Sequence, residues 1–186
     1  MDATIIVTIA RLYDNHADAI GVVRELQRTG VPESDISVLT RDNRASGAAT
    51  GAEIGAAVGG LAGLLTGLGL VAIPGIGPVV AGGWLAATAA GAAAGGLAGG
   101  ALGVLSEAGV TDEDAHAFAE CLRRGATLVT ARVPDVDRSR FESILNRSAI
   151  NVEVRVAAYR KEGWSSYDPN AAPYTPEQIQ RERDLS

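Results

Sequence analysis

The chain holds one cysteine, two histidines and, at position 161, a single lysine. One cysteine excludes an internal disulfide and a cysteine-based zinc cluster. His16 and His116 alone leave metal chemistry and a Ser-His-Asp triad short of parts, and no glycine-rich turn runs into Lys-Ser or Lys-Thr, so a Walker-type phosphate loop is missing. Concentrated positive charge is missing too. The formal net charge is −6, which argues against a nucleic-acid partner, because neutralising phosphates takes clustered Lys and Arg. The opening residues, MDATIIVTIARL, lack a positive n-region and have too short an apolar run for a signal peptide. The expectation is a protein with both termini cytoplasmic, no catalytic, cofactor-binding or metal-binding residues, and no enzymatic activity.

The largest absence is charge itself: from Ile54 to Ser106 there is no Asp, Glu, Lys or Arg. This Gly/Ala/Leu-rich block, residues 46–108, separates two mixed segments, 1–45 and 109–160, and a polar, proline-containing tail follows at 161–186. Within the block, Gly51, Gly55, Gly59, Gly63 and Gly67 recur every fourth residue, and so do Gly91, Gly95, Gly99 and Gly103. Glycine weakens a helix by about 1 kcal/mol relative to alanine, so such rows make sense where another backbone approaches closely. Small residues at this spacing let two helices pack backbone to backbone. Between the rows stands IPGIGP, in which Pro74, Gly75, Gly77 and Pro78 predict a reversal.

The expectation is therefore a glycine-zipper helical hairpin with arms at roughly 48–72 and 79–107. About 20 helical residues cross a hydrocarbon core of about 30 Å, so each arm is long enough to span a membrane. Glycine and alanine contribute little to insertion, however, so burial of the hairpins inside a homo-oligomer or within the chain's own core stays open. Glu53 and Glu107 at the base of the arms read as the water boundary or as a paired-carboxylate site, and Trp84 as packing or as an interfacial anchor.

The flanking segments read as alternating strands and helices. TIIVTIARL is β-branched and predicts a strand; Asp14 or Asn15 caps a helix carrying Ile20, Val23 and Leu26, Gly30 ends it, and DISVLT is a second strand. After the block, Thr111 caps a helix with Ala115, Phe118 and Leu122 on one face, ATLVTARVP is a strand, Asp135 caps a helix with Phe141, Ile144 and Leu145, and NVEVRVAAY alternates like a half-buried strand. Two strand–helix–strand units of this kind predict an α+β fold, a ferredoxin-like α/β sandwich with helices on one face, interrupted by the inserted hairpin.

Scattered polar residues carry weaker signals. Cys121 reads as a buried structural thiol rather than a redox sensor. His116 reads as an exposed helix residue and His16 as lying near a helix start. Arg41 and Arg44 before the block, with Arg123 and Arg124 after it, read as a basic base facing anionic headgroups or as ordinary solvated charge. In the tail, Trp164, Tyr167 and Tyr174 are spaced by polar residues; the segment is either disordered or an assembly strap.

Taken in order, IIVTIARLYDNHADAIGVVRELQRTGVPESDISVL, the glycine-rich block, GVTDEDAHAFAECLRRGATLVTARV and the tail GWSSYDPNAAPYTPEQIQRERDLS resemble a bacterial family of heat-induced or general stress proteins. The resemblance spans nearly the whole chain but rests on the order of elements, not on a catalytic motif. It implies a bacterial, stress-linked protein that is membrane-associated or self-assembling, and brings no activity or ligand with it. The leading expectation is a non-enzymatic, homo-oligomeric stress protein anchored in the bacterial inner membrane by its hairpin. The alternative is a cytoplasmic particle with hairpins packed inward around lipid or another apolar guest. A third reading, an enzyme or small-molecule sensor using the sheet face, has no constellation of residues behind it.

Overall fold

A computed structural model describes residues 5–41, 69–73, 76–85, 100–172 and 174–184. In chain order they form β1 (Ile6–Tyr13), α1 (His16–Arg28), β2 (Ile36–Arg41), β3 (Gly69–Ile73), β4 (Gly77–Gly82), α2 (Gly100–Glu107), α3 (Asp112–Arg123), β5 (Thr127–Pro134), α4 (Arg138–Leu145), α5 (Val152–Lys161) and α6 (Pro176–Asp184). The strands make one antiparallel sheet in the order β1-β5-β2-β4-β3.

Local chemistry sets most of the boundaries. The Asn15 side chain accepts the Asp18 N–H at 2.8 Å, and the Thr111 hydroxyl accepts that of Asp114 at 3.3 Å, so α1 and α3 start where a capping oxygen satisfies an otherwise unpaired donor. Gly30, with φ of 98°, follows the end of α1 in the left-handed conformation that only glycine adopts without strain.

Alternation along the strands divides the core in two. Ile9 and Tyr13 of β1, Ile36 and Val38 of β2, and Val129, Ala131 and Val133 of β5 face α1 and α4, where Val23, Leu26, Phe141 and Leu145 complete one cluster. Their neighbours Ala10, Leu12, Leu39 and Leu128 point the other way, against Val104 and Leu105 of α2 and Leu122 of α3. Helices therefore cover both faces of the sheet. The expected two-layer sandwich is too thin, because the end of the apolar block, as α2, docks beside α3 on the face predicted to be open.

Two further expectations are corrected. The segment NVEVRVAAY is the helix α5, not a strand: Asn151 Oδ1 caps it by accepting the Val154 N–H at 3.1 Å. Val156 and Tyr159 are buried while Val154 is 67% exposed, so the inward residues follow helical spacing rather than alternation. The valines satisfied both patterns, and the cap decided between them.

The helical hairpin is also revised. The inner ends of both expected arms, 69–72 and 79–82, lie in the strands β3 and β4, which pair from Gly69↔Ala81 to Ile73↔Gly77. A reversal does occur where the prolines predict one; Gly77 and Pro78, expected in the turn, are the first residues of β4, while Pro74 and Gly75 lie outside the described residues. β4 pairs in turn with β2, from Val38↔Gly82 to Arg41↔Val79, so the apex of the uncharged block is part of the domain's own sheet. A spanning hairpin would put that apex on the far side of a bilayer. Among the described residues no helix is long and apolar enough to cross a membrane. Of the zipper glycines, Gly51, Gly55, Gly59, Gly63, Gly67, Gly91, Gly95 and Gly99 lie outside the described residues. Gly103 lies on α2, and no described neighbour comes within 4 Å of where its β-carbon would be.

Candidate functional site

Chemistry-bearing side chains converge at one place, the C-terminal end of α3, where the sequence has Glu120, Cys121, Arg123 and Arg124 in one turn. Glu120 is 1% exposed and holds both arginines: its Oε1 accepts from Arg123 Nη2 at 2.6 Å and from Arg124 Nε at 2.8 Å, and its Oε2 from Arg123 Nε at 2.8 Å. Burial pushes the Glu120 carboxyl up, but the hydrogen bonds and charges of the two arginines outweigh it and leave the pKa below the usual carboxylate value.

Arg124 is itself buried and reaches two more carboxylates through Nη1, Glu162 at 2.9 Å and Glu182 at 2.5 Å. Its guanidinium carbon lies 3.7 Å from the centre of the Tyr159 ring, and that of Arg123 lies 4.3 Å from the Tyr174 ring, both within cation–π range. A third arginine enters from the sheet. Arg41, the last residue of β2, donates through Nη1 to the Arg123 carbonyl at 2.7 Å and through Nη2 to the Tyr174 carbonyl.

The C-terminal segment closes the cluster from outside. Tyr167 is 4% exposed, Ile179 of α6 is buried, and Trp164 meets the Tyr159 ring edge-on at 6.3 Å. Arg123 Nη1 donates to the Ala172 carbonyl at 3.3 Å. The tail is docked, but its aromatics pack on the chain's own α3 and α5 rather than on the sheet, and an assembly role for this strap does not follow from the packing. Of the expected basic base, Arg41 and Arg124 are buried and the Arg123 side chain is 12% exposed, so with the C-terminal segment docked they are not ordinary solvated charge; Arg44 lies outside the described residues.

Compared with known protein families, curated proteins and solved structures, the chain matches none.

The other candidate residues fall elsewhere. Cys121 is buried, and burial pushes its thiol up to about 12, so it stays protonated and unreactive near neutrality. It lines, with Asp14, Arg155 and Tyr159, a cavity of about 10 Å³, room for about one water at most. Arg155 Nη2 donates to both Asp14 oxygens at 2.8 and 2.7 Å and ties α5 to the end of β1. His116 is half-buried on α3 rather than exposed, and His16 begins α1 as expected. Trp84 packs beneath Arg132, whose guanidinium carbon is 4.9 Å from its ring. Glu107 is exposed at the end of α2, while Glu53 lies outside the described residues. Among the described residues no group of His, Cys, Asp and Glu is placed to hold a metal.

Sequence reasoning noticed the arginines but missed their convergence. Glu120, Arg123 and Arg124 at i, i+3 and i+4 signal a helical ion pair. Nothing in the local pattern says that β2 delivers Arg41, and the tail delivers Glu182, to the same point.

Proposed function

We propose that this is a non-enzymatic, self-associating protein whose apolar block joins copies of the chain, in the stress-related setting suggested by its resemblance. The observation that carries the reading is the strand β3. Its sequence, GLVAI, has no charge and no proline, and among the described residues it pairs on one side only, with β4. Edge strands are ordinarily guarded against pairing with another molecule by lysine, proline or a bulge. An unguarded apolar edge favours a second copy as its partner.

The same observation favours the cytoplasmic assembly over the membrane anchor, since the apex of the block is held by β2 and is not free to cross a bilayer. The seam of zipper glycines then belongs to packing within or between copies, with lipid or another apolar guest as a passenger. Sedimentation of the full-length chain without detergent, with lipid extraction of the purified species, tests this. The expected result is a species several times the 19.0 kDa chain. A monodisperse 19.0 kDa monomer overturns self-association. Recovery only with membranes restores the anchor.

A further inference from the structure

Arg41 differs from the two arginines it meets. Arg123 and Arg124 share three carboxylates, those of Glu120, Glu162 and Glu182. Arg41 is 8% exposed, yet among the described residues its acceptors are two neutral carbonyls and its buried Nε meets no partner. Burial, with the Arg123 charge beside it, pulls its pKa down to about 10. A buried guanidinium lacking a counter-ion is costly, and one with an N–H still unpaired is a donor awaiting an acceptor.

Besides Glu162 at the end of α5, the acceptors the cluster receives from outside come from one segment. The Ala172 carbonyl meets Arg123, the Tyr174 carbonyl meets Arg41, and the Glu182 carboxylate meets Arg124. Each of the three guanidiniums thus meets an oxygen of this segment, and a phosphate-type anion accepts charge-assisted hydrogen bonds of the same kind from arginine. Withdrawing the segment takes Glu182 with it, leaving three guanidiniums facing two carboxylates, with aromatic Tyr159 as one wall. Among the described residues of the segment Ile179 is the buried apolar anchor, with Tyr167 buried just before it.

We propose that Arg41, Arg123 and Arg124 form a binding site for a phosphate-type oxoanion, and that Ala172, Tyr174 and Glu182 close it by presenting their own oxygens in the ligand's place. The ligand chemistry is a phosphate group, carried either by a free di- or polyphosphate or by an anionic lipid headgroup. Closure reduces the apparent affinity by the fraction of molecules that are open, so loosening the strap strengthens binding.

The test uses the full chain, with inorganic pyrophosphate titrated calorimetrically and trypsin cleavage at exposed Arg181 reporting strap opening. Ile179→Ser removes an apolar anchor and changes no charge. It is expected to tighten pyrophosphate binding by roughly 5- to 150-fold, the usual span of coupling between two sites. Adding Arg41→Met is expected to abolish the gain, and pyrophosphate is expected to accelerate cleavage at Arg181. Should Ile179→Ser fail to fold by circular dichroism, Glu182→Gln replaces it. Vesicles of phosphatidylglycerol and of phosphatidylcholine form the second arm: binding to the former alone, with no pyrophosphate response, assigns the site to headgroups. Absence of binding to both probes, undiminished binding with Arg41→Met, or cleavage indifferent to the ligand overturns the proposal.

Discussion

A β-carbon placed on Gly125 would stand 2.4 Å from Ile179 Cγ2. Gly125 follows the last turn of α3, next to Arg124, and Ile179 is the buried residue of α6, so the docking of the C-terminal strap depends on a missing side chain. Gly125 also has φ of 102°, a conformation in which other residues are strained. Gly125→Ala is expected to lower stability by about 1–3 kcal/mol in urea unfolding and to expose the tail to trypsin. Gly21 is the contrast: it lies exposed in the interior of α1 with no described atom within 4 Å of a β-carbon. Gly21→Ala is expected to raise stability by roughly 0.5–1 kcal/mol in the same assay.

Glu120 meets both Arg123 and Arg124. Arg124 keeps Glu162 and Glu182, so removing the Glu120 charge strands Arg123, whose carboxylate partner among the described residues is Glu120. Glu120→Gln is expected to cost about 3–5 kcal/mol, as breaking a buried pair from one side does. Glu162 touches the same Arg124 but its side chain is 56% exposed, and Glu162→Gln is expected to cost at most about 1 kcal/mol. Thermal unfolding of the two variants side by side separates a buried pair from a surface one. Equal losses would contradict the assigned burial.

The pH dependence has two limbs. Because the folded pKa of Glu120 is depressed, its contribution is present above the unfolded carboxylate value of about 4.3 and is lost as pH falls through the lower folded value. On the alkaline side, burial raises Tyr13 and Tyr159, and raises Tyr167 and Cys121 to about 12. Their contribution is complete below the unfolded values of about 8.5 for cysteine and 10 for tyrosine and declines as pH rises toward the folded ones. Arg41 works in the opposite sense: its pKa is lowered to about 10, so raising the pH above that relieves a strained cation. Four groups against one give a net loss, and the urea midpoint is expected to fall between about pH 9 and 12. A flat midpoint over that window would contradict the burial of the tyrosines.

Register identifies the open positions of β3. Pro78 has no N–H, so Ala72↔Pro78 is a non-hydrogen-bonded pair, and the N–H groups of Ala72 and Leu70 point to the free edge. Ala72→Pro therefore removes an outward donor while leaving the β3–β4 bonds in place. The expected outcome is a smaller assembly by sedimentation with an unchanged circular dichroism spectrum. An unaltered size would move the self-association site away from this edge.

The elements most legible in sequence were those with a cap and a period that agree. Asn15 and Thr111 announce α1 and α3, and the β-branched runs of β1, β2 and β5 lie within two residues of their expected bounds. The valine-rich α5 was misread because residues 152–156 satisfy a strand's alternation and a helix's face alike. Residues 69–72 and 79–82 read as helix ends because glycine spacing in the neighbouring segments outweighs the β-branched residues within them. Of the site, one turn of α3 was visible, and its two outside contributors were not.

Composition and local pattern by themselves determined where charge is absent, that the chain reverses between β3 and β4, and which capped helices and β-branched strands form. These depend on backbone preferences and on neighbours within about four residues. Tertiary structure alone decided that β4 joins β2, that helices cover both faces of the sheet, and that Arg41 meets Arg123 and Arg124 under the strap. Those outcomes follow from which apolar surfaces exclude water together and where a buried charge finds acceptors. Both are properties of residues distant in the chain, carried by no local period.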